Sequence, residues 1–260
     1  MIKLKEFIPE NRHEKFMTEL RQRGSSLDVD DILDLISTFS RELVKNDYKF
    51  ITGFPQGHEI FNNVIKDIQA SIPYYSPQKL SVFELILEEV IKYLILTVRG
   101  KKDTYLFLYN QKNGGLGNKA VEQDLHDSLY DHLMRSQIAH FISEEIKNFT
   151  DGGRVDIVLK AGAVTFPIEL KRTSNRVSKE SVRKKYLEQV ATYTYSYDQL
   201  GIFVLMDLNE KTAPVNDVRE LVYLDCMKPL YDLGGCYPDN LIICIIPGNK
   251  PLPNQKSVYN

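Results

Sequence analysis

Residues 164–172 (Val-Thr-Phe-Pro-Ile-Glu-Leu-Lys-Arg) read as a β-strand whose two faces differ in kind. Successive side chains of a strand point to opposite faces, and residues two apart lie about 6.6 Å from each other on one face. Ile168 and Leu170 therefore face a core, while Glu169 and Lys171 share the other side. Upstream, residues 152–159 (Gly-Gly-Arg-Val-Asp-Ile-Val-Leu) read as a glycine turn feeding a second strand that carries one carboxylate, Asp156. Ala161-Gly162-Ala163 is the short turn between the two strands. Such a neighbouring strand brings Asp156 beside Glu169. Two adjacent carboxylates repel and are costly away from water unless a cation joins them. A divalent metal with hard oxygen ligands resolves that conflict, and Mg²⁺ suits it. A lysine beside a metal-bound water points to phosphodiester hydrolysis.

Asp156 followed by Glu169-Leu170-Lys171 resembles the acid, gap, acid-x-lysine core of the PD-(D/E)XK nuclease superfamily, the restriction-endonuclease-like fold. The resemblance covers roughly residues 119–210. The pattern is short, and its context gives it weight: the Gly-Gly-Arg turn, the apolar strands and the flanking helices. The resemblance implies an α/β fold with a mixed central sheet flanked by helices. It implies Mg²⁺ (or Mn²⁺) held by Asp156 and Glu169, with the Leu170 carbonyl as a further metal ligand. Lys171 would orient or help deprotonate the attacking water. DNA is the expected substrate, cut to leave a 5′-phosphate and a 3′-hydroxyl.

The flanks extend the pattern. Residues 119–133 read as a helix, with Val121, Leu125, Leu129 and Leu133 at helical spacing. Asn118 is the expected N-cap. Glu122 shares the inward face, whereas Asp124, Asp127 and Asp131 read as a solvated one. The resemblance makes Glu122 an additional metal ligand. The residues alone also allow it simply to favour the positive end of the helix dipole. Downstream, Thr173-Ser174-Asn175 is a polar loop, and a helix capped by Ser178 starts near Lys179. Lys185, Gln189 and Tyr193 are spaced four apart. Gln189-x-x-x-Tyr193 resembles the QxxxY element of the superfamily's exonuclease branch. That likeness gives Gln189 the task of holding Lys171 or the substrate strand and places Tyr193 near nucleic acid; a plain surface helix is the alternative. Tyr193, Tyr195 and Tyr197 cluster here, suited to stacking on bases or, preferably, to packing against the sheet. A further strand is expected over 201–207.

The net charge of −2 argues against a protein that coats nucleic acid by bulk electrostatics. The distribution tells more: residues 152–186 hold nine Lys and Arg against three acids, leaving the remainder at −8. Lysine and arginine contacts to phosphate supply most non-specific nucleic-acid affinity. Arg154, Arg172, Arg176, Lys184 and Lys185 are the expected phosphate contacts. Lys184-Lys185 reads equally as a solvated helix face, and its position beside the Glu169–Lys171 strand favours the phosphate role.

None of the five histidines falls in an HExxH or another zinc spacing, so a histidine-metal or triad enzyme is not expected. Cys226, Cys236 and Cys244 form no CxxC pair and suggest free thiols in a reducing cytoplasm. At 43% hydrophobic and 26% charged, the composition is ordinary for a soluble globular protein. No apolar run reaches the roughly 18 residues that span a bilayer, so no membrane partner is expected. Lys3, Lys5 and Glu6 have no apolar block after them, unlike a signal peptide.

The organisation expected is a mainly helical N-terminal module over 1–117, a nuclease domain over 118–247 and a tail over 248–260. The module contains amphipathic helices over 28–44 and 59–70, a central helix over 81–98 with Glu84, Glu88 and Lys92 as a narrow polar stripe, and a strand over 104–109. Residues 110–118 form a glycine-rich loop without the GK[ST] of a phosphate loop. Residues 138–147 lean to a strand with Glu144 or Glu145 near the site, and 219–224 and 241–246 are two more strands. The module suits sequence reading, homodimerisation or docking of a helicase, ATPase or sensor subunit. By analogy with nucleases carrying such a module, restriction or anti-phage defence is the expected setting. Two alternatives stand beside nuclease activity: a non-catalytic nucleic-acid-binding or assembly subunit on the same fold, and a coincidental pattern in an unrelated α/β protein.

Overall fold

Apolar runs rich in Val, Ile, Leu and Phe join into one mixed sheet in the computed structural model, which describes residues 13–23, 52–71, 76–100, 102–109, 120–143, 155–162, 164–195, 200–215, 217–227 and 239–251. Its strands are β1 (Ile142–Ser143), β2 (Ile157–Ala161), β3 (Val164–Thr173), β4 (Leu200–Asp207), β5 (Val222–Met227) and β6 (Asp239–Pro247), in the order β1-β2-β3-β4-β6-β5. β3, β4 and β6 run parallel, and the pairs β1–β2, β2–β3 and β5–β6 are antiparallel. β2 and β3 form a hairpin in which Ala161 pairs with Val164. Gly162 turns it at φ +62°, a left-handed conformation that glycine adopts without steric cost.

The strand period of two sorts the buried residues into two layers. Ile168 and Leu170 of β3, Ile202, Val204 and Met206 of β4, and Ile242, Cys244 and Ile246 of β6 enter one core. Phe203 and Leu205 with Leu241, Ile243 and Ile245 enter a second core with Val182, Leu187 and Val190. The first layer is covered by α2 (Pro55–Ser71), α3 (Pro77–Arg99) and α4 (Glu122–Met134). The second is covered by α5 (Lys179–Val182), a wide π-helical turn (Arg183–Leu187) and α6 (Glu188–Tyr195), which together cross from β3 to its parallel neighbour β4. The helix α1 (His13–Arg23) buries Phe16.

The first core includes Phe61, Val64 and Ile68 of α2 and Phe83, Leu87 and Leu94 of α3, so it runs without a break from these helices into the sheet. Phe61, Val64, Ile65 and Ile68 of α2 are buried, and α3 is buried along most of its length, as expected of a central helix. Within the expected polar stripe, Lys92 pairs with Glu88 at 2.6 Å, and Glu88 is buried; Lys92 also lies 3.0 Å from Glu89, a buried acid outside that stripe.

Several expectations are corrected. The run 104–109 is not a strand but part of a 3₁₀ helix (Lys102–Tyr109). A short apolar run does not distinguish strand from buried helix by itself. Here the segment covers the core with Leu108. Of the expected strand over 138–147, the described part holds a 3₁₀ turn (Ala139–Phe141) and β1, and residues 144–147 lie outside the described residues. The expected tail does not begin at 248. Asn249 donates its backbone N–H to the Leu108 carbonyl at 2.7 Å, and Lys250 is only 8% exposed. The Lys250 ammonium donates to the Thr97 carbonyl at 2.7 Å and to that of Val98, capping the C-terminus of α3. The expected helix over 28–44, the Asn118 cap, the loop over 110–118, the Gly-Gly-Arg turn, Glu144, Glu145, Cys236 and the last nine residues lie outside the described residues. Among the described residues no helix is long and apolar enough to cross a membrane.

Burial lowers the Lys250 ammonium to about 8, so it remains a cation at pH 7. Lys250→Met leaves two helix-terminal carbonyls without this donor. We expect a loss of about 1–3 kcal/mol in urea unfolding at pH 7; an unchanged midpoint and slope contradict the clamp.

Candidate active site

The antiparallel β2–β3 register pairs Ile157 with Ile168, so one further step sets Asp156 opposite Glu169, on the same face. Asp156 sits just before the start of β2. Its Oδ2 accepts the backbone N–H of Leu170 at 2.7 Å, which fixes the carboxylate against β3. Glu169 lies in the middle of a strand buried on both sides, and only 3% of it is exposed. One oxygen, Oε1, accepts from the Lys171 ammonium at 2.5 Å. The other, Oε2, is buried and has no hydrogen-bond partner among the described residues. Native structures rarely leave such an acceptor unmatched.

Burial pushes the Glu169 carboxyl up to about 7, and the charge of Asp156 adds to the rise against the opposing pull of Lys171. Burial pulls Lys171 down, but its bond to Glu169 and the surrounding acids outweigh this and raise it overall. The Lys171 ammonium also donates to the Leu170 carbonyl at 2.9 Å and lies 3.5 Å from Glu122 Oε1. Oxygens of Glu169, Leu170 and Glu122, three of the four expected metal ligands, thus converge on one cation that the chain itself provides.

Glu122 arrives as the first residue of α4. Its side chain is 41% exposed and leans over Lys171 instead of being buried on the inward face, which corrects the expectation. Leu125, Leu129 and Leu133 do face the core. Asp124 is half-buried, and its carboxylate accepts the Val121 N–H at 2.7 Å and caps the helix start. The helix is held on α3 by Tyr93, which donates to Ser128 at 2.9 Å, and by His132, whose Nε2 lies 3.1 Å from the Glu89 carbonyl.

One contact near the site went unnoticed in the sequence. His126 Nε2 lies 3.2 Å from the Asp156 carbonyl. Zinc spacings could not reveal it. The relevant signal is its place four residues after Glu122, on the same helical stripe.

On the other flank, Ser178 caps α5 by accepting from the Ser181 N–H at 3.2 Å, as expected. The π turn then alters the helical phase between Lys185 and Gln189, so four-residue spacing no longer sets them in line. Gln189 is exposed at the start of α6, and Tyr193 lies on the same helix. Arg172, Arg176, Lys184 and Lys185 are exposed. Arg154 falls outside the described residues. Arg183 is used in docking, bound to Asp225 and to the Cys226 carbonyl of β5.

Among the described residues no group of three or more His, Cys, Asp or Glu side chains gathers closely enough to hold a metal ion. Mg²⁺ needs fewer protein ligands, because it commonly takes one or two carboxylates and keeps several waters. The unmatched Glu169 Oε2, the adjacent Asp156 and the three oxygens already gathered around an ammonium are a hard, anionic donor set that fits it. Comparison with protein-family models and with curated proteins finds no match to this chain.

A carboxyl raised from 4.5 to about 7 favours the folded state below pH 4.5 and loses that contribution as the pH rises through 7. Without metal, Glu169→Gln is therefore expected to be more stable than the parent at pH 8, by up to about 3 kcal/mol, and to lose this advantage at pH 5. Urea unfolding in EDTA at the two pH values measures the difference; a variant less stable at pH 8 than at pH 5, relative to the parent, contradicts it.

Proposed function

We propose that the protein is a metal-dependent nuclease of the restriction-endonuclease-like kind, hydrolysing DNA phosphodiester bonds with Mg²⁺ or Mn²⁺. The observation that carries this reading is the buried Glu169, set opposite Asp156 with one oxygen unmatched and one on Lys171. The sheet supports it as well: a β-hairpin followed by a helical crossover to a parallel strand carries the first acid just before β2 and the second acid and the lysine on the adjacent strand β3. Asp156 and Glu169 would hold the metal, with Glu122 and the Leu170 carbonyl as further ligands. A bound divalent cation supplies an activated water and neutralises phosphate charge.

Lys171 has two tasks in this reading. It neutralises the acids while no metal is bound, and it orients the attacking water and stabilises charge developing on the phosphate during reaction. Arg172, Arg176, Lys184 and Lys185 track the phosphate backbone, with Arg154 and Tyr193 as further contacts, and Gln189 steadies the strand. A homodimer would cut both strands, and a role in restriction or phage defence, with or without a helicase, ATPase or sensor subunit, follows from analogy alone.

A second reading has its own observation. The Lys171 ammonium already satisfies Glu169 and the Leu170 carbonyl, as in a binding or assembly subunit whose acids are purely structural.

Cleavage of supercoiled plasmid and of single-stranded DNA separates the two. The nuclease reading expects Mg²⁺- or Mn²⁺-dependent cutting that EDTA abolishes, and a loss of at least about 100-fold in Lys171→Ala, Asp156→Ala and Glu169→Ala. Full cutting by all three variants overturns it, and metal-independent binding without cutting establishes the subunit reading.

A further inference from the structure

His126 stands where a helix meets the strand that carries Asp156. Glu122, His126 and Tyr130 succeed one another at four-residue intervals, so they form one stripe along α4. Glu122 reaches Lys171, and His126 Nε2 lies 3.2 Å from the Asp156 carbonyl. The His126 ring stacks on Tyr130, with centroids 5.9 Å apart and planes inclined by 10°. Tyr130 in turn packs on the core.

A carbonyl oxygen only accepts, so Nε2 is the donor in its bond to Asp156. Nδ1 lies 3.3 Å from the Gln123 amide nitrogen and 3.4 Å from Asp127 Oδ1, and the Gln123 amide also donates to Asp127 Oδ1 at 2.7 Å.

The bond matters because of its target. The β2–β3 ladder begins at Ile157, so Asp156 lies beyond its last paired residue. Among the described residues it is held at two points: its carboxylate by the Leu170 N–H, and its carbonyl by His126. Loss of the second leaves the Asp156 backbone able to turn, and the carboxylate turns with it. We infer that His126 is a positioning residue for the metal site, acting through the Asp156 backbone carbonyl. The inference rests on the metal-binding reading of Asp156 and Glu169 given above. Groups that orient metal ligands in this way commonly contribute about 10- to 100-fold in metal affinity.

The test is Mn²⁺ binding to the full chain, followed by the electron paramagnetic resonance of free Mn²⁺, so that no cleavage is needed. His126→Gln places an amide N–H close to the position of Nε2, whereas the shorter His126→Asn does not reach. We expect His126→Asn to weaken Mn²⁺ by about 10-fold or more and His126→Gln to bind within about threefold of the parent, with metal-free melting temperatures unchanged. His126→Phe keeps the stack on Tyr130 and lacks the donor, so it must show the same weakening and serves if the Asn variant does not fold. Parental affinity in His126→Asn or His126→Phe, with binding lost in Asp156→Asn, overturns the role of His126 and leaves the metal site standing. A parent chain that binds no Mn²⁺ overturns both.

Discussion

A carboxylate in the middle of a buried strand must find a cation or give up its charge. Glu169 is that carboxylate. Its neighbours on the sheet are apolar, Asp156 is set opposite it, and burial together with that second acid raises it to about 7. Lys171 answers part of the demand, because its ammonium binds Glu169 Oε1 and the Leu170 carbonyl and approaches Glu122. It does not reach Glu169 Oε2, which stays unmatched. On the proposed reading, a divalent cation from solution would compete with this lysine for the site.

The rest of the fold holds the site in place. β4 and β6 carry fully buried apolar residues to either side and keep water out of the sheet. The α4 helix brings Glu122 and His126 to the site because it is fixed on α3 through Tyr93–Ser128 and His132–Glu89. α3 is itself closed at its C-terminus by Lys250, from the far end of the chain. Helices from the first half of the chain and strands from the second thus share one core, and a shift of α3 would reach the carboxylates through α4.

Where one period governed a segment, the sequence was legible. The alternation in β3 placed Glu169 and Lys171 on one side and Ile168 and Leu170 on the other. The register that sets Asp156 opposite Glu169 comes instead from the pairing of Ala161 with Val164, inside the segment expected to be the turn. The inward residues of α2 and the Leu125, Leu129 and Leu133 stripe of α4 were equally plain, whereas Val121 and Glu122 of the same expected face are not buried. Segments governed by tertiary context were not. The run 104–109 has strand composition, yet it folds as a 3₁₀ helix that covers the core with Leu108. Lys250 looked like part of a polar tail because nothing local reveals two helix-terminal carbonyls awaiting a donor. The phase between Lys185 and Gln189 depends on a π turn that four-residue spacing does not announce. The role of His126 has no sequence signature, because its partner is a backbone carbonyl.

The most direct test of the central claim is a crystal soaked in Mn²⁺ and measured at the manganese absorption edge. The account predicts an anomalous peak in contact with Asp156 and Glu169, with the Lys171 ammonium displaced from Glu169 Oε1. No peak at this position, with Lys171 still bound to Glu169 at saturating Mn²⁺, would contradict it.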